Sequence, residues 1–94
     1  MEKKSIYKVP EGKLLKIYFS FNEKNNSFNS IQILGDFFCH PESGIEDIEK
    51  FLKGKKIDDT LVPGLEKFLK EKRIELYGFS PKDLLEAIQT AFEN

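Results

Sequence analysis

The stretch LLKIYFSF, residues 14–21, decides the fold, because every second residue in it is apolar. These apolar residues share one face: Leu15, Ile17, Phe19 and Phe21. This alternation predicts a half-buried β-strand. A polar, Asn-rich stretch, NEKNNSFN at 22–29, follows as a turn, and SIQILGDFF at 30–38 then alternates again. In this second stretch, one face carries Ile31, Ile33, Gly35 and Phe37. Together the two stretches predict an antiparallel hairpin, to which SIYKV at 5–9 adds a short edge strand.

Helical stretches follow the predicted strands. Ser43 and Glu46 have the spacing of a capping box, and the apolar stripe that follows them stops at Gly54. A second helix is predicted over about 61–71, with a proline tolerated in its first turn. A Ser-Pro pair at Ser80 begins a third, whose predicted buried face is Leu84, Leu85, Ile88, Ala91 and Phe92. Strands first and helices afterwards predict an α+β fold, a small antiparallel sheet followed by about three helices packed on one face.

The composition is that of a single globular domain spanning residues 1–94. Because 15 Lys and Arg nearly balance 16 Asp and Glu, the net charge is −1, which argues against nucleic acid or an anionic membrane as the partner. The lone cysteine, Cys39, permits no intrachain disulfide. No signal peptide and no apolar run of membrane-spanning length occurs in the sequence. We therefore expect a soluble cytoplasmic protein.

The stretch GDFFCHPES, residues 35–43, holds the only Cys and the only His of the chain. Because His40 precedes a proline, its backbone is extended, and the side chains of Cys39 and His40 should point to opposite sides. This disfavours a Cys–His catalytic dyad. A metal site built from Asp36, His40 and Glu42 is disfavoured too, since stable zinc sites need three or four His or Cys ligands. A structural corner and a docking surface remain.

Both remaining interpretations use the same residues. Gly35 permits an unusual dihedral angle at a strand end, and Asp36 can accept backbone N–H bonds in the turn that follows. Phe37 and Phe38 are adjacent, so they must point to opposite sides of the strand. One can enter the core, while the other is left outside as an anchor for a partner.

Three stretches in order resemble the C-terminal accessory domain of lipoate–protein ligases. They are YKVPEGKLLKIYF at 7–19, GDFF at 35–38 and IEDIEKFLKG at 45–54. The family pattern is a Lys-led apolar strand after a Gly, a second strand that ends in Gly-Asp-Phe, and a helix of the form Ile/Leu-Glu-x-x-Leu-x-Gly. The resemblance extends from about Tyr7 to Phe92. It departs at the hairpin, where the family often has a Gly-containing turn.

This resemblance implies an accessory subunit of a lipoate–protein ligase. The family's large catalytic subunit binds ATP, Mg and lipoate and carries the catalytic lysine, and the small domain is needed to form lipoyl-AMP before transfer to a lysine of lipoyl-domain proteins. A chain that starts at Met1 and ends after the last helix fits the separate, heterodimeric form that archaea especially use. No catalytic residue and no cofactor or metal of its own is expected here.

The resemblance and the residues together place the partner interface or lid at the second strand end and the flanking basic residues. The candidate residues are Lys8, Lys13, Gly35, Asp36, Phe37, Phe38 and His40. A lid that excludes water would strengthen the electrostatic interactions around the adenylate. Ordinary solvated lysines are the simpler interpretation of Lys8 and Lys13.

Two other functions remain open. The loop cysteine after a strand is also compatible with a sulfur acceptor or scaffold of iron–sulfur assembly that works through Cys39. That role needs an accessible thiol of low pKa, whereas Cys39 has aromatic neighbours and only His40 as a possible cation. A generic interaction module is the other alternative.

Overall fold

The computed structural model describes residues 1–10 and 12–93. Within these residues, strands and helices follow one another in this order: β1 (Glu2–Lys8), β2 (Leu14–Asn22), β3 (Ser27–Gly35), β4 (Phe38–His40), α1 (Gly44–Leu52), α2 (Leu61–Lys72), β5 (Glu75–Tyr77) and α3 (Pro81–Phe92). The predicted α+β class is confirmed. No helix in this part of the chain is both long enough and apolar enough to cross a membrane.

The main sheet is antiparallel, with the strand order β1-β2-β3. Ile17 in the central strand lies opposite Ser5 of β1 and Ile33 of β3, and all three side chains are buried. Helix α3 contacts β1 and β2, while α1 contacts β3. The alternation seen in the sequence therefore places one face of the sheet under the helices. The predicted edge strand is present and begins earlier than expected, at Glu2.

The hairpin is confirmed, but β3 begins at Ser27, inside the stretch predicted as a turn. Phe28 and Ile31 are three residues apart, so strict alternation would send them to opposite faces of the sheet. A register shift next to Ser20 and Phe21 turns both side chains inward. Phe28 is only 1% exposed. Burial of this aromatic ring explains why the strand extends into a polar sequence.

The helix ends agree with the sequence in part. Ser80 caps α3 as predicted: its Oγ accepts the Asp83 N–H at 3.3 Å, and the Asp83 carboxylate accepts the Ser80 N–H at 2.9 Å. The capping box predicted at Ser43 is wrong, because Ser43 has helical backbone angles and makes no side-chain cap bond. Ser80 is extended, which lets its side chain fold over the first turn. Gly54 has a φ of +87° and ends the α1 region as predicted.

The last helix differs from its predicted burial at one position. Phe92 was expected on the buried face, but 39% of its surface is exposed. Its ring still contacts the rings of Phe19 and Phe21, with centroid separations of 5.7 and 5.0 Å. Phe92 therefore covers the rim of the core near the end of α3.

A second, two-stranded antiparallel sheet pairs β4 with β5 and was not predicted. Arg73 ends α2 in the left-handed conformation, with a φ of 56°, and leads the chain into Ile74, which is buried. The three residues of β5 then lie beside β4 before α3 begins. This small sheet sets the geometry of the GDFFCHPES segment.

Candidate functional site

The main sheet ends in a tight corner at Gly35, the last residue of β3. Its φ is +154°, and a Cβ atom added there would lie 2.2 Å from the carbonyl oxygen of Leu14 and 3.0 Å from the Phe37 ring. Only glycine fits this conformation and this close approach of the neighbouring strand. The sequence prediction of an unusual dihedral angle at Gly35 is confirmed.

The Asp36 carboxylate fastens this corner to the start of β2. Its Oδ1 accepts the backbone N–H of Leu14 at 2.9 Å. The sequence correctly predicted that Asp36 accepts a backbone N–H. It was wrong about the donor, which lies on the neighbouring strand rather than in the following turn. A carboxylate that accepts a backbone N–H at a strand end is a structural arrangement.

Phe37 and Phe38 point to opposite sides, as their adjacency required. Phe37 is half-buried and packs edge-to-face on Phe79, with ring centroids 4.7 Å apart. Phe38 is 74% exposed, and it lies directly opposite Tyr77, which is 53% exposed. Directly opposite residues of an antiparallel pair share one side of the sheet. The small sheet therefore presents an exposed aromatic pair.

We call the outward side of this small sheet the aromatic ribbon; it consists of Phe38, His40, Glu75 and Tyr77. Alternation along the strands places His40 beside Phe38 and Glu75 beside Tyr77. The Tyr77 hydroxyl donates to the Glu75 carboxylate, and this bond raises the pKa of the phenol. Tyr77 was missed by the sequence prediction because β5 was missed. The only signal is the brief alternation of IELY at 74–77.

Cys39 lies on the inward side of the small sheet, behind the aromatic ribbon and opposite Leu76, and is half-buried. Its Sγ is close to the start of α1, since a Cβ atom added to Gly44 would lie only 2.6 Å from it. Burial raises the pKa of the thiol; the nearby Asp47 also raises it, against the backbone of Ile45, which lowers it. His40 is exposed on the other side, so the two side chains diverge as predicted.

The structure separates the two candidate lysines. Lys13 belongs to the corner, because its N–H donates to the Gly78 carbonyl at 3.3 Å and its side chain lies beside the Gly78 backbone. The Lys8 ammonium donates instead to the Gly12 carbonyl at 2.5 Å. Among residues 1–10 and 12–93, no group of three or more His, Cys, Asp or Glu side chains is arranged to hold a metal ion.

The position of Cys39 predicts low reactivity toward alkylating reagents. Because the thiolate is the reactive form, a raised pKa and partial burial should both slow the reaction of Cys39 with iodoacetamide at pH 7. We expect a rate several-fold below that of the same chain unfolded in urea, measured by mass spectrometry. The rate should rise as the pH rises toward the pKa. A folded chain that reacts faster than the unfolded chain would contradict this placement of the thiol.

Together, the fold and the corner define a small α+β protein that presents an aromatic ribbon on its two-stranded sheet, next to the end of the main sheet. The family model described as bacterial lipoate protein ligase C-terminus matches residues 13–88. This match spans most of the chain and includes Gly35, Asp36 and the ribbon. The chain therefore belongs to the family of lipoate protein ligase C-terminal domains.

A solved structure is similar over nearly the whole chain. It comes from a study of an archaeal lipoylation system, a bipartite lipoate protein ligase and its E2 lipoyl domain from Thermoplasma acidophilum. The superposition has a TM-score of 0.76, with 25% of residues identical, and covers 93% of this chain and 93% of the other. The two chains are thus similar in length as well as in fold. Comparison with curated protein sequences finds no significant match.

Proposed function

We propose that this chain is the accessory subunit of a bipartite lipoate–protein ligase. It would act with a separate large catalytic subunit in the ATP-dependent activation of lipoate to lipoyl-AMP, before transfer to a lysine of a lipoyl-domain protein. The observation that carries the proposal is the near-complete superposition on a chain of the Thermoplasma acidophilum bipartite ligase, together with the family match. ATP, Mg and lipoate would be bound by the large subunit.

The arrangement of the described residues is consistent with a supporting role in this chemistry. The lone cysteine is half-buried and points away from the lone histidine. Adenylation produces a charged, water-sensitive mixed anhydride, so a surface that closes over it and excludes water would favour its formation. The aromatic ribbon is a candidate for such a surface, because it holds two exposed aromatic side chains on a hydrogen-bonded scaffold.

We propose that Phe38 anchors the large subunit in a 1:1 complex. A central aromatic anchor typically contributes about 2 kcal/mol or more to binding, which corresponds to roughly a 30-fold change in affinity. Phe38→Ala should raise the dissociation constant by about that factor while leaving the fold intact, because 74% of the side chain is exposed. The affinity can be measured by titration calorimetry with the purified large subunit of the same organism.

Phe37→Ala is the matched control, because it removes the same ring from the adjacent position. Phe37 packs on Phe79, so this change should lower the free energy of unfolding by about 1 to 3 kcal/mol. Binding measured well below the melting temperature should then change less than in Phe38→Ala. If Phe38→Ala binds the large subunit as tightly as the wild type, the ribbon is not the interface.

The sulfur-acceptor alternative is not favoured by the surroundings of Cys39. A sulfur acceptor needs an accessible thiolate, whereas the thiol is half-buried and its pKa is raised by burial. The inward position of Cys39 opposite Leu76 instead fits a small packing residue.

A further inference from the structure

The face of the main sheet that points away from the helices carries unexpected apolar surface. The solvated face of an antiparallel sheet is normally polar. Here it exposes four apolar or aromatic side chains, between 36% and 56% accessible: Ile6, Leu14, Tyr18 and Leu34. Tyr18 lies on the central strand, opposite Lys4 on one side and Gln32 on the other. We call this surface the open face.

The open face is also basic. Lys4, Lys8 and Lys16 alternate with its apolar residues, and all three are exposed. Lys16 lies opposite Ile6 and Leu34, so a positive charge is next to apolar surface on both sides. Among residues 1–10 and 12–93, the acidic groups on this face are Glu2 and Asp36, and the Asp36 carboxylate already accepts the Leu14 N–H. A partner surface with an apolar centre and flanking carboxylates would be complementary to this face.

The open face adjoins the corner. Leu14 and Asp36 are joined by a hydrogen bond, and both line a surface depression with Tyr18 and Leu34. A stable complex buries about 800 Å² on each partner, from roughly 20 to 30 residues. The aromatic ribbon comes from two strands of three residues each, which is too small to supply that area alone. The adjoining open face can supply the remainder.

We infer that the open face is a further docking surface for the large subunit, which would present an acidic, apolar-centred surface to it. This inference rests on the proposed function and adds a second contact region to the ribbon. A second copy of this chain is a less suitable occupant, because Lys4, Lys8 and Lys16 would then face the same positive charges.

The test compares two pairs of charge reversals in the full chain. Lys4→Glu with Lys16→Glu changes the open face, and Lys67→Glu with Lys70→Glu makes the same net change on the exposed side of α2. Dissociation constants for the purified large subunit are measured at low and at high salt. We expect the open-face variant to bind at least about tenfold more weakly and to lose most of the salt dependence. The α2 variant should remain within about twofold of the wild type.

A second variant tests the apolar part of the same face. Leu34→Ser removes a side chain that is 42% exposed and should also weaken binding by about tenfold, with an unchanged melting temperature. If the wild type binds but both open-face variants bind as tightly, the inference is wrong and the proposed function stands. If the wild type does not bind the large subunit, both are wrong. The inference is also overturned if the open-face changes abolish only self-association, or only binding to the lipoyl domain.

Discussion

Replacing Gly35 by alanine is expected to lower the free energy of unfolding by about 3 to 5 kcal/mol, a large part of the stability of a small domain. Two costs combine at this position. The backbone has a φ of +154°, which residues other than glycine rarely adopt. The added Cβ would also lie 2.2 Å from the Leu14 carbonyl oxygen. The neighbouring strand cannot move away without breaking the Leu14–Asp36 hydrogen bond.

Two other glycines provide graded controls for chemical denaturation. Gly64→Ala should raise stability by up to about 1 kcal/mol, since Gly64 lies in helix α2 and no atom of the described residues lies within 4 Å of the added Cβ. Gly54→Ala should cost about 1 kcal/mol, because its φ is +87° but its Cβ position is open. If Gly35→Ala costs no more than Gly54→Ala, the tight corner described at Gly35 is wrong.

The alternation of LLKIYFSF was enough to predict the central strand and its buried face, because a side-chain period of two has few other structural solutions. The start of α3 was also predictable, since Ser80 and Asp83 make all their capping contacts within a few residues. The failed capping box at Ser43 has the same residue spacing. Sequence does not report whether a serine at that position adopts extended or helical backbone angles, and this decides whether it caps.

The aromatic ribbon could not be predicted from local patterns. β4 and β5 are each three residues long, which is too short for an alternating pattern of apolar residues to be detected. Helices α1 and α2 also separate the two strands in the sequence. The adjacency of Phe37 and Phe38 predicted that one of them is exposed, while the packing of Phe37 on Phe79 shows that the exposed one is Phe38. Tyr77 could not be predicted as exposed, since its exposure depends on pairing with a residue far away in the sequence.

The hydrogen-bond partner of Asp36 shows the same limit. Its residue type and its place at a strand end predicted that it accepts a backbone N–H. Which N–H it accepts depends on the register of β2 and β3, and the register shift beside Ser20 and Phe21 was not visible in the sequence. The role of Asp36 as a hydrogen-bond acceptor was thus predictable from its residue type and position, while its donor on the neighbouring strand was not.

The proposed role as an accessory subunit predicts that lipoate activation depends on this chain. The large subunit alone should adenylate lipoate at least about a hundredfold more slowly than the 1:1 complex, because misplaced or solvated reacting groups typically lose that much rate. Phe38→Ala should recover activity only at higher concentrations, in proportion to its weaker binding. This shift separates a loss of affinity from a loss of the active complex.

The most direct test measures pyrophosphate released from ATP and lipoate by this chain, by the purified large subunit of the same organism, and by their mixture. We predict background release from each protein alone and rapid release from the mixture that saturates at one equivalent of this chain. Release by the large subunit alone at the rate of the mixture, or release by this chain alone, would contradict the proposed function.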